Sequence, residues 1–113
     1  MTDFFDISGK VAVVTGGATG IGAMITEGLV RSGCRVFIAS RKQEVLEEFT
    51  SRMDAIVSGA VQYFVADLAT EDGTAELVAN IAEQTDHVDI LVNNSGASWG
   101  ADFDAFPRSG WDK

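Results

Sequence analysis

Val11-Ala12-Val13-Val14-Thr15-Gly16-Gly17-Ala18-Thr19-Gly20-Ile21-Gly22 is the stretch that decides the fold of this chain. Its first four residues are a short apolar run dense in β-branched side chains, which suits a parallel strand buried on both faces. Gly16, Gly20 and Gly22 then turn the chain. Ile21, Met24, Ile25 and Leu29 follow at spacings of three and four, which predicts the apolar face of a helix. A strand, a glycine turn and a helix in that order bring backbone N–H groups and the positive end of the helix dipole to the turn. Glycine serves there because a Cβ would obstruct both the sharp bend and the close approach of backbone to a ligand. The alternative is a bare tight turn, but three spaced glycines at one strand–helix junction are a costly way to make one.

The same unit repeats outward from this stretch. Ser32-Gly33 closes the first helix, with Gly33 placed as a left-handed cap. Val36 to Ala39 reads as a second strand. Val45, Leu46, Phe49, Met53 and Ile56 mark a second helix that closes near Ser58-Gly59, and Gln62 to Ala66 is a third strand. Thr70 is placed to cap a third helix, with Glu71 and Asp72 in the first turn where the dipole favours acids. Leu77, Val78, Ile81 and Ala82 give that helix an apolar face. Asp89 to Asn93 is a fourth strand. Alternating strands and helices predict right-handed βαβ units, hence an α/β fold with a parallel sheet and helices on both faces. After Ser95 the pattern changes. Trp99, Phe103, Phe106 and Trp111 stand without clear periodicity around Pro107, which reads as a loop and the start of another helix.

Two phosphate-binding motifs do not fit the glycine turn. An NTPase-type loop needs Lys-Ser or Lys-Thr after its last glycine, and Ala23-Met24 stand there. The G-x-G-x-x-G dinucleotide fingerprint is not matched literally either, since the spacing is Gly16-x-x-x-Gly20-x-Gly22. That spacing, Thr-Gly-x-x-x-Gly-x-Gly, resembles the short-chain dehydrogenase/reductase family. Asp67-Leu68 after the third strand and Asn93-Asn94-Ser95-Gly96 after the fourth extend the resemblance in the family's order over nearly the whole chain. The last motif departs from the usual Asn-Asn-Ala-Gly at Ser95, a small residue that preserves the loop shape.

The resemblance implies a Rossmann-type parallel sheet in the order 3-2-1-4, truncated after the fourth strand. It implies that Gly16, Thr19, Gly20, Ile21 and Gly22 surround the phosphates of a nicotinamide dinucleotide. Asp67 would meet the adenine amino group and Leu68 would line the adenine pocket. Asn94 and Gly96 would border the ribose and the path toward nicotinamide, while Asn93 would tie neighbouring strands. Read without the resemblance, Asp67 is equally a cap on a strand end, and Asn94-Ser95-Gly96 a generic turn.

The end of the second strand points to the choice of cofactor. An NAD-binding protein of this architecture carries an acid about 20 residues past the glycine loop, bonded to the ribose 2′-hydroxyl. Here the chain reads Ala39-Ser40-Arg41-Lys42, with no carboxylate before Glu44. Arg41 offers a planar fork matched to a 2′-phosphate, Lys42 adds charge, and Ser40 can donate a hydrogen bond. These residues favour NADP(H). The alternative is that both cations are solvated residues opening the second helix.

The family's catalysis uses a Tyr-x-x-x-Lys pair and a serine beyond the fourth strand, where the lysine lowers the tyrosine pKa for proton exchange with the substrate oxygen. Tyr63 is the only tyrosine, and Asp67 stands four residues on. No residue is therefore assigned as catalytic. His87, the only histidine, reads as a surface residue of the turn before the fourth strand. The chain is expected to be an N-terminal piece, 1–113, of a longer single-domain protein, inactive by itself. Ser98-Trp99-Gly100-Ala101, Phe106-Pro107 and Ser109-Gly110-Trp111-Asp112-Lys113 are similar to 3-oxoacyl-carrier-protein reductases of the rhamnolipid type. That implies a carbonyl substrate, small or carrier-linked, and a homo-oligomeric whole protein. A non-catalytic NADP(H)-binding sensor and an inert truncation product stay open.

Composition sets the remaining bounds. The 113 residues are 46% apolar and 22% charged, as in ordinary globular domains. Seventeen acids against eight bases leave a net charge of −9, a surface that repels nucleic-acid backbones. No apolar run approaches the roughly 20 residues needed to span a bilayer. The N-terminus lacks a basic region followed by an apolar run, so a cytoplasmic protein is expected. Cys34, the only cysteine, cannot form an intrachain disulfide and reads as a core thiol.

Overall fold

The computed structural model describes residues 6–94. Seven elements alternate along them: β1 (Val11–Thr15), α1 (Gly20–Arg31), β2 (Arg35–Ser40), α2 (Gln43–Asp54), β3 (Val61–Val65), α3 (Glu71–Gln84) and β4 (Ile90–Asn93). The four strands form one parallel sheet in the order β3-β2-β1-β4. Register is exact at the end that matters for function: Thr15 lies opposite both Ala39 and Asn93, and Ser40 opposite Val65. The strand expected from Gln62 runs one residue earlier, and α2 ends before Ile56, which is half-buried in the following turn.

Two cores sit on the two sheet faces, because successive strand residues point to opposite sides. Ala12, Val14, Val36 and Ile38 pack with Val30 of α1 and with Leu46, Phe49 and Met53 of α2. Val11, Val13, Phe37 and Ala39 pack with Leu77 and Ile81 of α3, and Phe37 stacks on Phe64 with ring centroids 6.0 Å apart. β1 is buried along its whole length, as its unbroken apolar run predicts. The outer strand β4 is less covered: Leu91, on the α3 side by its register with Val13, is 43% exposed.

The apolar face of α1 differs from expectation. Ile21 is 66% exposed and Met24 73% exposed, while the buried positions are Gly22, Thr26 and Val30. Gly22 lets the helix axis come close to the end of β1. That proximity turns the stripe of small residues inward, with Ile25 and Leu29 as its half-buried flank. Met24 lies about 200° around the helix from Gly22 and so faces away. In α3 the buried stripe is Thr74, Leu77 and Ile81, and Ala82 is exposed.

The amino end of the sheet is closed by polar contacts. Asp89 accepts the Val11 N–H at 2.8 Å and pairs with His87 Nε2 at 3.3 Å, and His87 Nδ1 lies 3.0 Å from Asp86. These carboxylates, the Asp86 hydrogen bond foremost, push the His87 pKa above its ordinary value. Cys34 is buried, its thiol 3.4 Å from the Ile7 carbonyl, and burial raises its pKa. Its reading as a core thiol fits this placement.

Candidate functional site: the carboxyl end of the sheet

The residues singled out from sequence leave the sheet at one end. Gly16 follows β1, Ser40 ends β2 with Arg41 just beyond it, Asp67 follows β3 and Asn94 follows β4. The strand order reverses between β1 and β4, and open α/β sheets bind ligands in the crevice outside the carboxyl ends at such a point.

The glycine turn is built by close approaches from remote residues. Gly16 (φ 65°) and Gly20 (φ 54°) occupy the left-handed region, which side-chain-bearing residues seldom enter. A Cβ on Gly22 would land on the Gly16 carbonyl and 2.8 Å from the side-chain Nδ2 of Asn94. Gly17 is constrained as well. A Cβ there would meet Ile38 Cγ2 at 2.7 Å and Thr26 Oγ1 at 2.9 Å. No local signal marks Gly17, because the atoms that require it come from β2 and α1. The Gly16 N–H is already bonded to the Ala39 carbonyl at 3.0 Å, so Gly16 shapes the turn and offers no free amide.

The helix that follows starts without a cap. Thr19 takes extended backbone angles at the N-cap of α1, yet its side chain bonds none of the first-turn amides, and no acidic residue stands in that turn. The first N–H groups of a helix have no partner within it. Together with the dipole they favour an anion at this spot.

Across from the turn lies the cation predicted from sequence. A cleft of about 270 Å³ has Gly16, Ala18 and Thr19 on one wall and Ser40, Arg41 and Lys42 on the other. Arg41 and Lys42 are exposed, and Ser40 Oγ accepts the Lys42 N–H at 3.3 Å. A larger hollow of about 530 Å³ lies against the first turn of α2, but Glu44 and Glu47 in its walls disfavour an anion.

The other predicted residues stand outside the walls of the cleft. Ile21 projects into solvent beside the turn. Asp67 Oδ1 accepts the Ala69 N–H at 3.0 Å, a local turn of the kind expected without any ligand. Leu68 is buried, its side chain packed in the α3-side core with Ala66, Leu77 and Ile81. The Asn94 N–H donates to Thr15 Oγ1 at 2.9 Å, which holds its amide over Gly16 and Gly22. Thr15 Oγ1 also lies 3.1 Å from Asn93 Oδ1, joining β1 to β4. Gly96, Ser95 and the aromatic stretch lie outside the described residues.

Tyr63 sits in β3 and its hydroxyl donates to Glu47 at 3.1 Å. Burial and that carboxylate push its pKa up, opposite to the activation a proton-transfer tyrosine needs. Among the described residues, no group of three or more His, Cys, Asp and Glu side chains could hold a metal ion. No helix among them is long and apolar enough to cross a membrane.

A four-stranded parallel sheet in this order, helices on both faces and a glycine turn at the switch point define a Rossmann-type α/β protein. The chain belongs to the short-chain dehydrogenase family, whose model matches residues 10–113. Over all 113 residues it is 43% identical to the rhamnolipids biosynthesis 3-oxoacyl-[acyl-carrier-protein] reductase of Pseudomonas aeruginosa, and covers 43% of that protein. It is 36% identical over 110 residues to gluconate 5-dehydrogenase of Gluconobacter oxydans, 97% of this chain and 43% of that one. The solved Pseudomonas aeruginosa RhlG/NADP active-site complex superposes with a TM-score of 0.78 at 39% identity, over 94% of this chain and 42% of that one. L-sorbose reductase from Gluconobacter frateurii, complexed with NADPH and L-sorbose, does so with a TM-score of 0.76 at 35% identity, over 80% and 35%. The chain thus spans less than half the length of these relatives.

Proposed function

We propose that this chain is the NADP(H)-binding half of an oxidoreductase that interconverts a carbonyl and an alcohol. One observation carries the reading: an uncapped helix start behind a turn that requires glycine at 17 and 22, facing Arg41 across a cleft. The residues fit the cofactor. A side chain at position 22 would strike the Gly16 carbonyl and Asn94, so Gly22 lets the start of the helix seat closely on the turn. The amides at the start of α1 would hold the diphosphate, Arg41 and Ser40 the 2′-phosphate, and Asp67 the adenine amino group. Leu68 would line the adenine pocket, and Asn94 and Gly96 would border the adenosine ribose. Bound there, the nicotinamide would supply or take up a hydride.

Relatives solved with NADP or NADPH support the choice of cofactor. The similarity to a 3-oxoacyl-carrier-protein reductase supports a 3-oxoacyl group as substrate of the whole protein. We assign no catalytic residue among 6–94. The whole protein is read as a cytoplasmic homo-oligomer of which 1–113 is part of one domain, and these 113 residues are expected to oxidise no NADPH with a ketone.

The test is a titration of the purified chain with NADPH and NADH. NADPH should bind more tightly. Arg41→Asp should lower NADPH affinity at least about 10-fold, since a charge-assisted pair is worth ~1.5–3 kcal/mol, and leave NADH unharmed. Equal NADPH binding by that variant removes Arg41 from the site, and no binding by the parent chain removes the reading.

A further inference from the structure

The start of α3 holds a glycine that helix geometry does not ask for. Gly73 is the third residue of a 14-residue helix, and its φ is not positive. Glycine is the poorest helix former after proline, so an unstrained position in a first turn would favour almost any other residue. The reason for it lies outside the helix. A Cβ on Gly73 would fall on the Asp67 carbonyl oxygen, 2.8 Å from the Asp67 carbonyl carbon and 2.9 Å from Thr70 Oγ1. Most of these atoms are backbone, which cannot swing aside as a flexible side chain would.

Thr70 completes the contact. Its hydroxyl accepts the Gly73 N–H at 2.9 Å and donates to the Asp67 carbonyl at 3.2 Å, and its own N–H reaches that carbonyl at 3.4 Å. The first turn of α3 therefore closes directly on the peptide of Asp67. A methyl group added at Gly73 would force the first turn of α3 and the Asp67 peptide apart.

We propose that Gly73 and Thr70 form a clasp that sets the position of the Asp67 carboxylate, and through it the recognition of the adenine amino group. Both are positioning residues. The proposal rests on the cofactor reading above and adds to it the device that places one of its contacts.

The hypoxanthine analogue of NADPH, which has a carbonyl oxygen where adenine has its amino group, reads that placement. The chain should prefer NADPH to this analogue by about 10-fold, the worth of one charge-assisted hydrogen bond. Asp67→Asn should remove most of the preference, and Gly73→Ala should do the same. A general loss of structure would weaken both nucleotides alike and leave their ratio unchanged. Gly28→Ala is the control: Gly28 is a helical glycine of α1 with nothing within 4 Å of an added Cβ, and the ratio should stay at the parent value.

If Gly73→Ala does not fold, Thr70→Val and Thr70→Ser read the same clasp. The valine variant should lose the preference and the serine variant keep it. A folded Gly73→Ala with the full preference, or a Thr70→Val with it, overturns the proposal. A parent chain that binds both nucleotides equally well overturns the role of Asp67 and the clasp together. A parent chain that binds neither overturns the cofactor reading itself.

Discussion

The junctions β1–α1 and β3–α3 are built from similar parts to opposite ends. Each leaves a parallel strand, turns, places a threonine at the N-cap and has a glycine in the first helical turn whose Cβ would strike the carbonyl of the preceding turn. At β3–α3 the Thr70 hydroxyl bonds the Gly73 amide, and Glu71 and Asp72 face the dipole. That helix start supplies its own acceptor and negative charge. At β1–α1 the Thr19 side chain bonds nothing in the turn, and no acid is present. That start carries no cap and no acid, and is where we propose that an anion binds. In both junctions the glycine gives only the close approach of backbone to backbone. The cap decides whether the amides so exposed serve the fold or a ligand.

The largest effect is expected at the glycine turn, where an added Cβ would strike backbone. Gly22→Ala should destabilise the chain by about 3 kcal/mol or more through backbone displacement, and abolish NADPH binding. Thermal melting with a nucleotide titration checks both. A folded variant with parent affinity would mean that the turn is not the cradle. The second test compares the caps. Thr70→Ala should cost about 1 kcal/mol, as N-cap removals do, whereas Thr19→Ala should cost a few tenths at most. Equal losses in denaturant unfolding would erase the distinction between the junctions.

A third test concerns the threonines behind the two glycines. Both are buried, but Thr74 Oγ1 bonds the Thr70 carbonyl at 3.0 Å, while Thr26 Oγ1 has no partner among the described residues. Thr26→Val should leave stability unchanged or raise it by up to about 1 kcal/mol, because it replaces an unsatisfied hydroxyl by a methyl of the same shape. Thr74→Val should show no such gain.

The smallest effect is expected at the opposite end of the sheet, where no ligand is proposed. His87 holds its proton more tightly folded than unfolded, with Asp86 and Asp89 as partners. Its contribution is therefore complete below about pH 6.5, the ordinary histidine value, and is lost as the pH rises through the raised folded value. The side chain is 38% exposed, so solvent screens the pairs. His87→Gln should lower the melting temperature by only about a degree or two at pH 5.5 and leave it unchanged at pH 8.5. A larger loss at the higher pH would reverse the assignment.

Much of the fold was legible because it rests on local pattern. The apolar run of β1 marks a strand buried on both faces, and Leu46, Phe49 and Met53 mark the inward face of α2. Thr70 with Glu71 and Asp72 marks a capped helix start. The place of Arg41 on the cleft wall was legible because its position is measured along the chain from the glycine turn. The face of α1 was not legible. Ile21 and Met24 are the apolar choice by composition, yet Gly22, Thr26 and Val30 face the sheet.

The order of apolar runs, glycines and caps by itself determined that the chain alternates strand and helix, that its strands run parallel, and that a glycine turn meets a cation two elements later. Only the tertiary structure decided which glycines are indispensable. Gly17 is required by Ile38 and Thr26, Gly22 by Gly16 and Asn94, and Gly73 by Asp67. Hydrophobic periodicity and capping act over a few residues and can be read along the chain. Steric exclusion acts between atoms that only folding brings together, so the need for a missing Cβ is visible only once the neighbouring element is in place.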